Sequence, residues 1–278
     1  MSENSVFDVH YERPLHGIDI AWAGIKGARL PPIRLSGLWL IPEISIYVDL
    51  PRTHRGVHTS RLYKAVLLVK RLPEEGFDVL KTIAQSVLSD NEYAERARVL
   101  FNARVISEEN SEFKGYRRIH VGIVLNKNGA ERYESSASTM AIVACPCALR
   151  VAEQIYSKPY THTSKLRVTV SIKSTRQLLG PLALLGALSS VLSELNNYLR
   201  REEEARILRS SIEKPLFAED VARLVAVHIV RSYNDQLDPR DIVVTTVKSC
   251  EPLHEYDLYV VLKTTIEEVL GVLSSALM

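Results

Sequence analysis

Strand-like and helix-like runs segregate along this chain instead of alternating. That separation points away from βαβ units with a parallel sheet and towards an α+β plan. "LWLIPEISIYVDL" (38–50) alternates in part between apolar and polar positions and is bounded by Gly37 and Pro51. "DVLKTIAQSVLSD" (78–90) carries helical spacing at Leu80, Ile83, Val87 and Leu88. Strand character returns at 96–107, 117–126 and 135–144, a short helix is expected at 147–156, and another strand at 165–173. The second half is expected to begin with one long helix over about 180–201, with Leu184, Leu188, Val191, Leu195 and Tyr198 on one face. A second helix, about 216–232, would place Phe217, Val221, Leu224 and His228 together. Strands at 241–249 and 257–265 and a helical tail complete the pattern. The expectation is antiparallel sheets in two similar modules. The break between them falls near 150–165, where Ser157, Lys158 and Pro159 interrupt the pattern.

At 278 residues the chain is long enough for two domains. With 46% apolar and 24% charged residues, it has ordinary globular composition. A net charge of +2 creates no strong field for nucleic acid or an anionic membrane, so neither is expected as a partner. The start, "MSENSVFDVHYERP", does not read as a signal peptide. The longest uncharged run, 177–193, is short for a membrane span and contains Gln177, Gly180, Pro181 and several serines. It reads as a buried helix of a cytoplasmic protein.

The three cysteines narrow the chemistry. Cys145 and Cys147 are separated by one residue, and a disulfide between them would close a small, strained ring. A four-cysteine zinc knuckle needs a second pair, and only Cys250 remains. What is left is a single thiolate, as ligand or nucleophile, with partners elsewhere.

The other candidates are dispersed, and each also has a structural reading. A buried cysteine is most often a small hydrophobe. His162, in "YTHTSK", is a loop histidine before a strand. Glu202, Glu203 and Glu204 read as the solvated end of the long helix, with Glu202 and Arg206 at i,i+4 spacing. Glu219 and Asp220 suit the first turn of the next helix, where negative charge complements the dipole. His228 reads as a core histidine. Glu251 and His254 form E-x-x-H between two strands, and "RTHRGVHTSR" (52–61) adds His54, His58, Ser60 and Arg61.

Taken together, four ordered segments carry more than any one of them. "DLPRTHRGVHTSR" (49–61) resembles D-L-P-x(4)-R/K-G-x-H-x-S-R. "CPCA" (145–148) followed by "TH" (161–162) resembles a C-P-C and (T/A)-H pair. "RREEEARILRSSIEKPLFAED" (200–220) resembles a stretch ending N-P-x-F-V-E-D, and "EPLH" (251–254) resembles E-S-I-H. Over roughly residues 40–260 the chain thus resembles the metal-dependent GTP cyclohydrolase I type B family, which includes the archaeal MptA-type enzymes.

That resemblance implies a bimodular tunnelling fold (T-fold), with modules over residues 1–160 and 161–278 and helices on one face of the sheets. It also implies a homo-oligomer, usually a tetramer, with active sites at subunit interfaces. By position, the metal ligands would be Cys145, His162 and Glu204, holding Fe(II), or else Zn or Mn. Glu219 would anchor the guanine of GTP, and His58, Ser60 and Arg61 would line the substrate site. Glu251 and His254 would act as acid–base or water-orienting groups. The implied reaction opens the guanine imidazole ring and releases formate. It ends, for MptA-type members, at a dihydroneopterin 2′,3′-cyclic phosphate for pterin cofactor biosynthesis. Two segments depart from the family pattern. H-N-Q-R becomes His162-Thr163-Ser164-Lys165, and Tyr256 stands where a second histidine usually follows E-S-I-H. Three function classes follow: a GTP cyclohydrolase, a divergent T-fold metalloenzyme acting on another purine or pterin, and a non-catalytic purine-binding oligomer.

Overall fold

The computed structural model describes residues 9–109, 112–113 and 115–275. Most of the polar N-terminal segment and the last three residues lie outside them. In chain order the strands begin with β1 (Ile20–Arg29), β2 (Ile33–Leu35), β3 (Leu38–Leu50), β4 (Arg96–Glu109) and β5 (Glu112–Phe113). They continue with β6 (Arg117–Asn126), β7 (Glu131–Ala144), β8 (Thr163–Ser174), β9 (Ile242–Cys250) and β10 (Asp257–Thr265). The helices are α1 (Thr59–Val66), α2 (Leu72–Glu75), α3 (Val79–Asp90), α4 (Pro146–Tyr156), α5 (Pro181–Val191), α6 (Arg201–Glu213), α7 (Ala218–Tyr233) and α8 (Ile266–Ser275). No helix among the described residues is long and apolar enough to cross a membrane.

The chain forms two compact units. The first comprises Met1–Leu35, Pro42–Asn102 and Val121–Arg132. In it β1 runs antiparallel to β3, pairing Gly24 with Tyr47 and Ile25 with Ile46. Ile44, Ile46 and Val48 of β3 are fully buried, as alternation predicts for a half-covered strand. Helices α1 and α3 pack on each other. They bury Leu62, Ala65 and Val66 from one and Leu80, Ile83, Ala84 and Val87 from the other.

The second unit comprises Ser36–Ile41, Ala103–His120 and Tyr133–Met278. Its main ladder is β7-β8-β9-β10, antiparallel throughout. The inward positions of β8 are Leu166, Val168, Val170 and Ile172, and those of β9 include Val243 and Val247. Helix α7 packs on β8, β9 and β10, α5 packs on α7, and α8 packs on α7 and β10. Helices therefore cover one face of the sheet, and the opposite side chains, such as Arg167 and Lys248, are exposed. Each fully buried Leu, Ile or Val on the covered face contributes about 2 kcal/mol through lost contact with water.

The single long helix expected over 180–201 is a shorter one, α5, followed by an extended segment, and α6 begins only at Arg201. Helix α5 stops at Val191, and Leu192 is extended, with φ −112° and ψ 142°. The chain then lies along β7. Ile142 N–H donates to the Ser193 carbonyl at 3.0 Å, and Leu195 N–H donates to the Met140 carbonyl at 2.9 Å. The Glu194 carboxylate accepts from Thr139 Oγ1 at 2.7 Å and from the Arg117 guanidinium. Strand pairing and a buried ion pair outweigh helix propensity here. Leu195 and Tyr198 therefore leave the helix face, and Glu202, Glu203 and Glu204 open α6 instead of closing a longer helix. The Arg200 N–H donates to Glu203 Oε2 at 2.8 Å, which caps that opening turn.

The expected stripe on α7 is also displaced. Its buried face is Val221, Ala222, Val225, Ala226, Ile229 and Val230. Phe217 and Leu224 are 47% and 37% exposed. His228 is half-buried, not a core residue, and its Nε2 lies 2.8 Å from Ser190 Oγ.

Candidate active site

Strands β7 and β8 are paired to their common end, with Ala144 opposite Thr163, and α4 connects them. Cys145 and His162 flank that last rung. The Cys145 N–H donates to the His162 carbonyl at 3.1 Å, and Thr161 Oγ1 donates to the Cys145 carbonyl at 2.9 Å. Cys145 is the N-cap of α4, with Pro146 in the first turn, and its Sγ accepts from the Ala148 N–H at 3.4 Å. A sulfur at a helix N-terminus sits where the dipole favours negative charge. The His162 Nδ1 is buried and has no hydrogen-bond partner among the described residues. Such an orphaned imidazole nitrogen calls for a ligand of its own.

A pocket of about 250 Å³ opens at this end of the β7-β8-β9 ladder. Its polar side chains are Cys145, Ser164, Ser249, Glu251, His254 and Tyr256, and Val143, Leu216, Phe217 and Leu258 form apolar walls. Glu251 and His254 share a turn, the His254 N–H donating to the Glu251 carbonyl at 3.2 Å. The His254 ring is stacked on Tyr256, with centroids 4.9 Å apart and planes 9° from parallel. Both Glu251 oxygens accept from buried serines, Oε1 from Ser249 Oγ at 2.6 Å and Oε2 from Ser164 Oγ at 3.4 Å.

Of the residues singled out from sequence, Cys145, Glu251 and His254 share this pocket, and His162 is tied to Cys145 by its backbone. Glu219 is half-buried in the first turn of α7, next to the pocket residue Ala218. Glu204 is exposed in the first turn of α6. No three His, Cys, Asp or Glu side chains gather as a metal-binding group among the described residues. As a test of fit, the donor chemistry of Cys145 and the orphaned His162 nitrogen suits a metal, and the third donor is not gathered with them.

His58, Ser60 and Arg61 belong to the first unit. His58 is buried, its ring centroid 4.4 Å from that of His10 and 5.1 Å from that of Tyr11. Arg61 Nη1 donates to the Asp90 carbonyl at 3.0 Å and to Tyr11 Oη at 3.3 Å. Ser60 is exposed in the first turn of α1.

A family model described as Type I GTP cyclohydrolase folE2 matches residues 6–260. The chain belongs to this family. Curated relatives agree with it over nearly their whole lengths. "GTP cyclohydrolase MptA" of Aeropyrum pernix is 28% identical, covering 95% of this chain and 96% of the relative. The protein of that name from Korarchaeum cryptofilum is 25% identical, covering 96% and 95%. "GTP cyclohydrolase FolE2" of Kosmotoga olearia is also 25% identical, covering 91% and 96%. Among solved structures, a hyper-thermostable AgUricase mutant aligns with a TM-score of 0.55 at 6% identity, covering 88% of this chain and 91% of that chain. At that identity the likeness concerns the fold, and the fold is the T-fold that family members and uricase share.

Sequence reasoning missed Ser164 and Ser249 as pocket residues. Strand alternation carried the missing signal. Ser249 is an inward position of β9 two residues before Glu251, which follows the end of that strand, and β9 pairs Ser249 with Leu166 of β8.

Proposed function

We propose that this family member is a metal-dependent GTP cyclohydrolase of the MptA type. It opens the guanine imidazole ring of GTP, releases formate and yields a dihydroneopterin phosphate, the 2′,3′-cyclic phosphate, for pterin cofactor biosynthesis. The observation that carries this reading is the meeting of Cys145, Glu251 and His254 in one pocket, with His162 fixed beside Cys145. Relatives named as GTP cyclohydrolases over nearly the full chain support it.

In this reading Cys145 and His162 would hold the metal, and Glu204, exposed on α6, is the third donor that the family resemblance implies. A bound metal with an open position supplies an activated water near neutral pH. The mixed sulfur, nitrogen and oxygen donor set suits Fe(II), and also Zn or Mn. Glu219 receives the guanine edge, since one carboxylate accepts two parallel N–H donors. Glu251 orients a donor at the reacting ring carbon. His254 carries protons between water and the departing nitrogen, a role suited to an imidazole at neutral pH. His58, Ser60 and Arg61 contribute to the substrate site. Whole-ligand pockets span about 300–1,000 Å³. The 250 Å³ of this open pocket matches a purine ring better than a complete nucleoside triphosphate. A homo-oligomer, a tetramer in the cytoplasm, would complete the site around the phosphates.

One observation favours a second reading. Tyr256 replaces the family's second histidine and stacks on His254, so the proton-carrying part of the site differs from the pattern. A divergent T-fold metalloenzyme acting on another purine or pterin would accommodate that change. Product analysis separates the readings. A dihydroneopterin cyclic phosphate from GTP supports the first. Turnover of another purine or a pterin, with GTP left intact, supports the second.

A further inference from the structure

We propose that Ser164 and Ser249 are positioning residues, which together clamp the Glu251 carboxylate in one orientation towards the pocket. The proposal rests on the reading of Glu251 as a group that acts on the substrate.

The clamp follows from the ladder. Strands β8 and β9 pair Lys165 with Cys250 and Leu166 with Ser249. One step further along the same register, Ser164 faces position 251, where β9 has ended. Ser164 and Leu166 are both inward on β8, and Val247 and Ser249 are both inward on β9. Two hydroxyls and one carboxylate therefore meet at the covered end of the sheet. The serines are 5% and 2% exposed, so their hydroxyls need partners within the protein. Each finds a different oxygen of Glu251.

This arrangement has a chemical consequence. A carboxylate offers about four acceptor sites. One serine on each oxygen fixes the plane of the group, because rotation would break both bonds. Glu251 lines the pocket, so its remaining acceptor sites can serve an N–H of a purine-class ligand or an O–H of water there. Each serine has one hydroxyl proton, and both are committed to Glu251. Neither serine needs to touch substrate. Ser164 also stands in the segment where this chain departs from H-N-Q-R, in the place of the glutamine.

The test is a double-mutant cycle on the metal-loaded full-length protein, reading kcat, KM for GTP and thermal stability for Glu251→Gln, Ser249→Ala, Ser249→Thr and the double variant Glu251→Gln/Ser249→Ala. Glu251→Gln lowers kcat. Ser249→Ala lowers kcat about tenfold, the scale of a hydrogen bond to a charged group, with KM little changed. Ser249→Thr, which keeps the hydroxyl, restores most of it. In the Glu251→Gln background Ser249→Ala costs nothing further. If Glu251→Gln lowers kcat while Ser249→Ala does not, or if their losses multiply, the clamp is wrong and the role of Glu251 stands. If Glu251→Gln leaves kcat unchanged, the role of Glu251 fails and the clamp fails with it. A crystal structure of Ser249→Ala gives a readout independent of turnover. The clamp predicts a rotated or doubled Glu251 carboxylate, and an unmoved one overturns it.

Discussion

The Cys145 amide and the His162 carbonyl close the same end of the β7–β8 ladder, joined by a 3.1 Å hydrogen bond. The helical excursion of α4 separates these residues in sequence, and strand pairing returns them to each other. A cysteine and a histidine are thereby held next to each other through their backbones. Cys145→Ala should lose most of the bound metal and all formate release while the protein stays folded. Metal analysis of anaerobically prepared protein, beside circular dichroism, checks this. Unchanged metal content would show that Cys145 is not a ligand.

The buried pair of Arg117 and Glu194 fixes the segment that interrupts the expected long helix. Their side chains are 8% and 12% exposed. Removing one partner strands the other charge away from water, which typically costs about 3–5 kcal/mol. Glu194→Ala should lower stability by about that much in urea unfolding. Replacing both residues with apolar side chains of similar size should cost less than either single change.

Gly24 lies where β1 crosses close over β3. A Cβ at this position would sit 2.0 Å from the Ile46 carbonyl oxygen and 2.8 Å from the Tyr47 Cα. Backbone on the facing strand cannot swing aside as a side chain does. Gly24→Ala should destabilise the first unit by about 1–3 kcal/mol through forced strand separation. Thermal unfolding reads the effect.

Asp238 provides a pH test. The Arg240 backbone N–H at 3.0 Å and its Nε at 3.2 Å, with the charge of Arg176 beside them, hold the Asp238 carboxyl below the usual carboxylate range. A depressed carboxyl stabilises the fold fully above the ordinary aspartate value of about 4, and that contribution is lost as pH falls through the lower folded-state value. Asp238→Asn should therefore be less stable than the parent at neutral pH and converge with it in acid. Denaturation midpoints across the acid range check the convergence.

Most strands were legible because one covered face imposes alternation, and β3, β4, β6, β8, β9 and β10 lie where the pattern placed them. Strand β1 does not show in the sequence pattern. Two register irregularities in its pairing with β3 break the two-residue period. Helix α1 shows in the sequence only as part of a motif, since its basic and polar residues hide a short apolar face. The long-helix reading failed because a β-bridge between Ala141 and Glu194 is a long-range choice that local propensity does not register. Within the candidate site, chemistry-bearing residues stood out by type and order. Ser164 and Ser249 did not, because a serine in a strand announces nothing until its facing partner is known.

The most direct measurement is anaerobic incubation of the purified protein with GTP and Fe(II), and separately with Mn and Zn. Formate release and the mass of the pterin product are the readouts. The account predicts formate formed in step with a dihydroneopterin cyclic phosphate, strongest with Fe(II) and absent in Cys145→Ala. Protein that binds metal yet releases no formate from GTP with any of the three would contradict it.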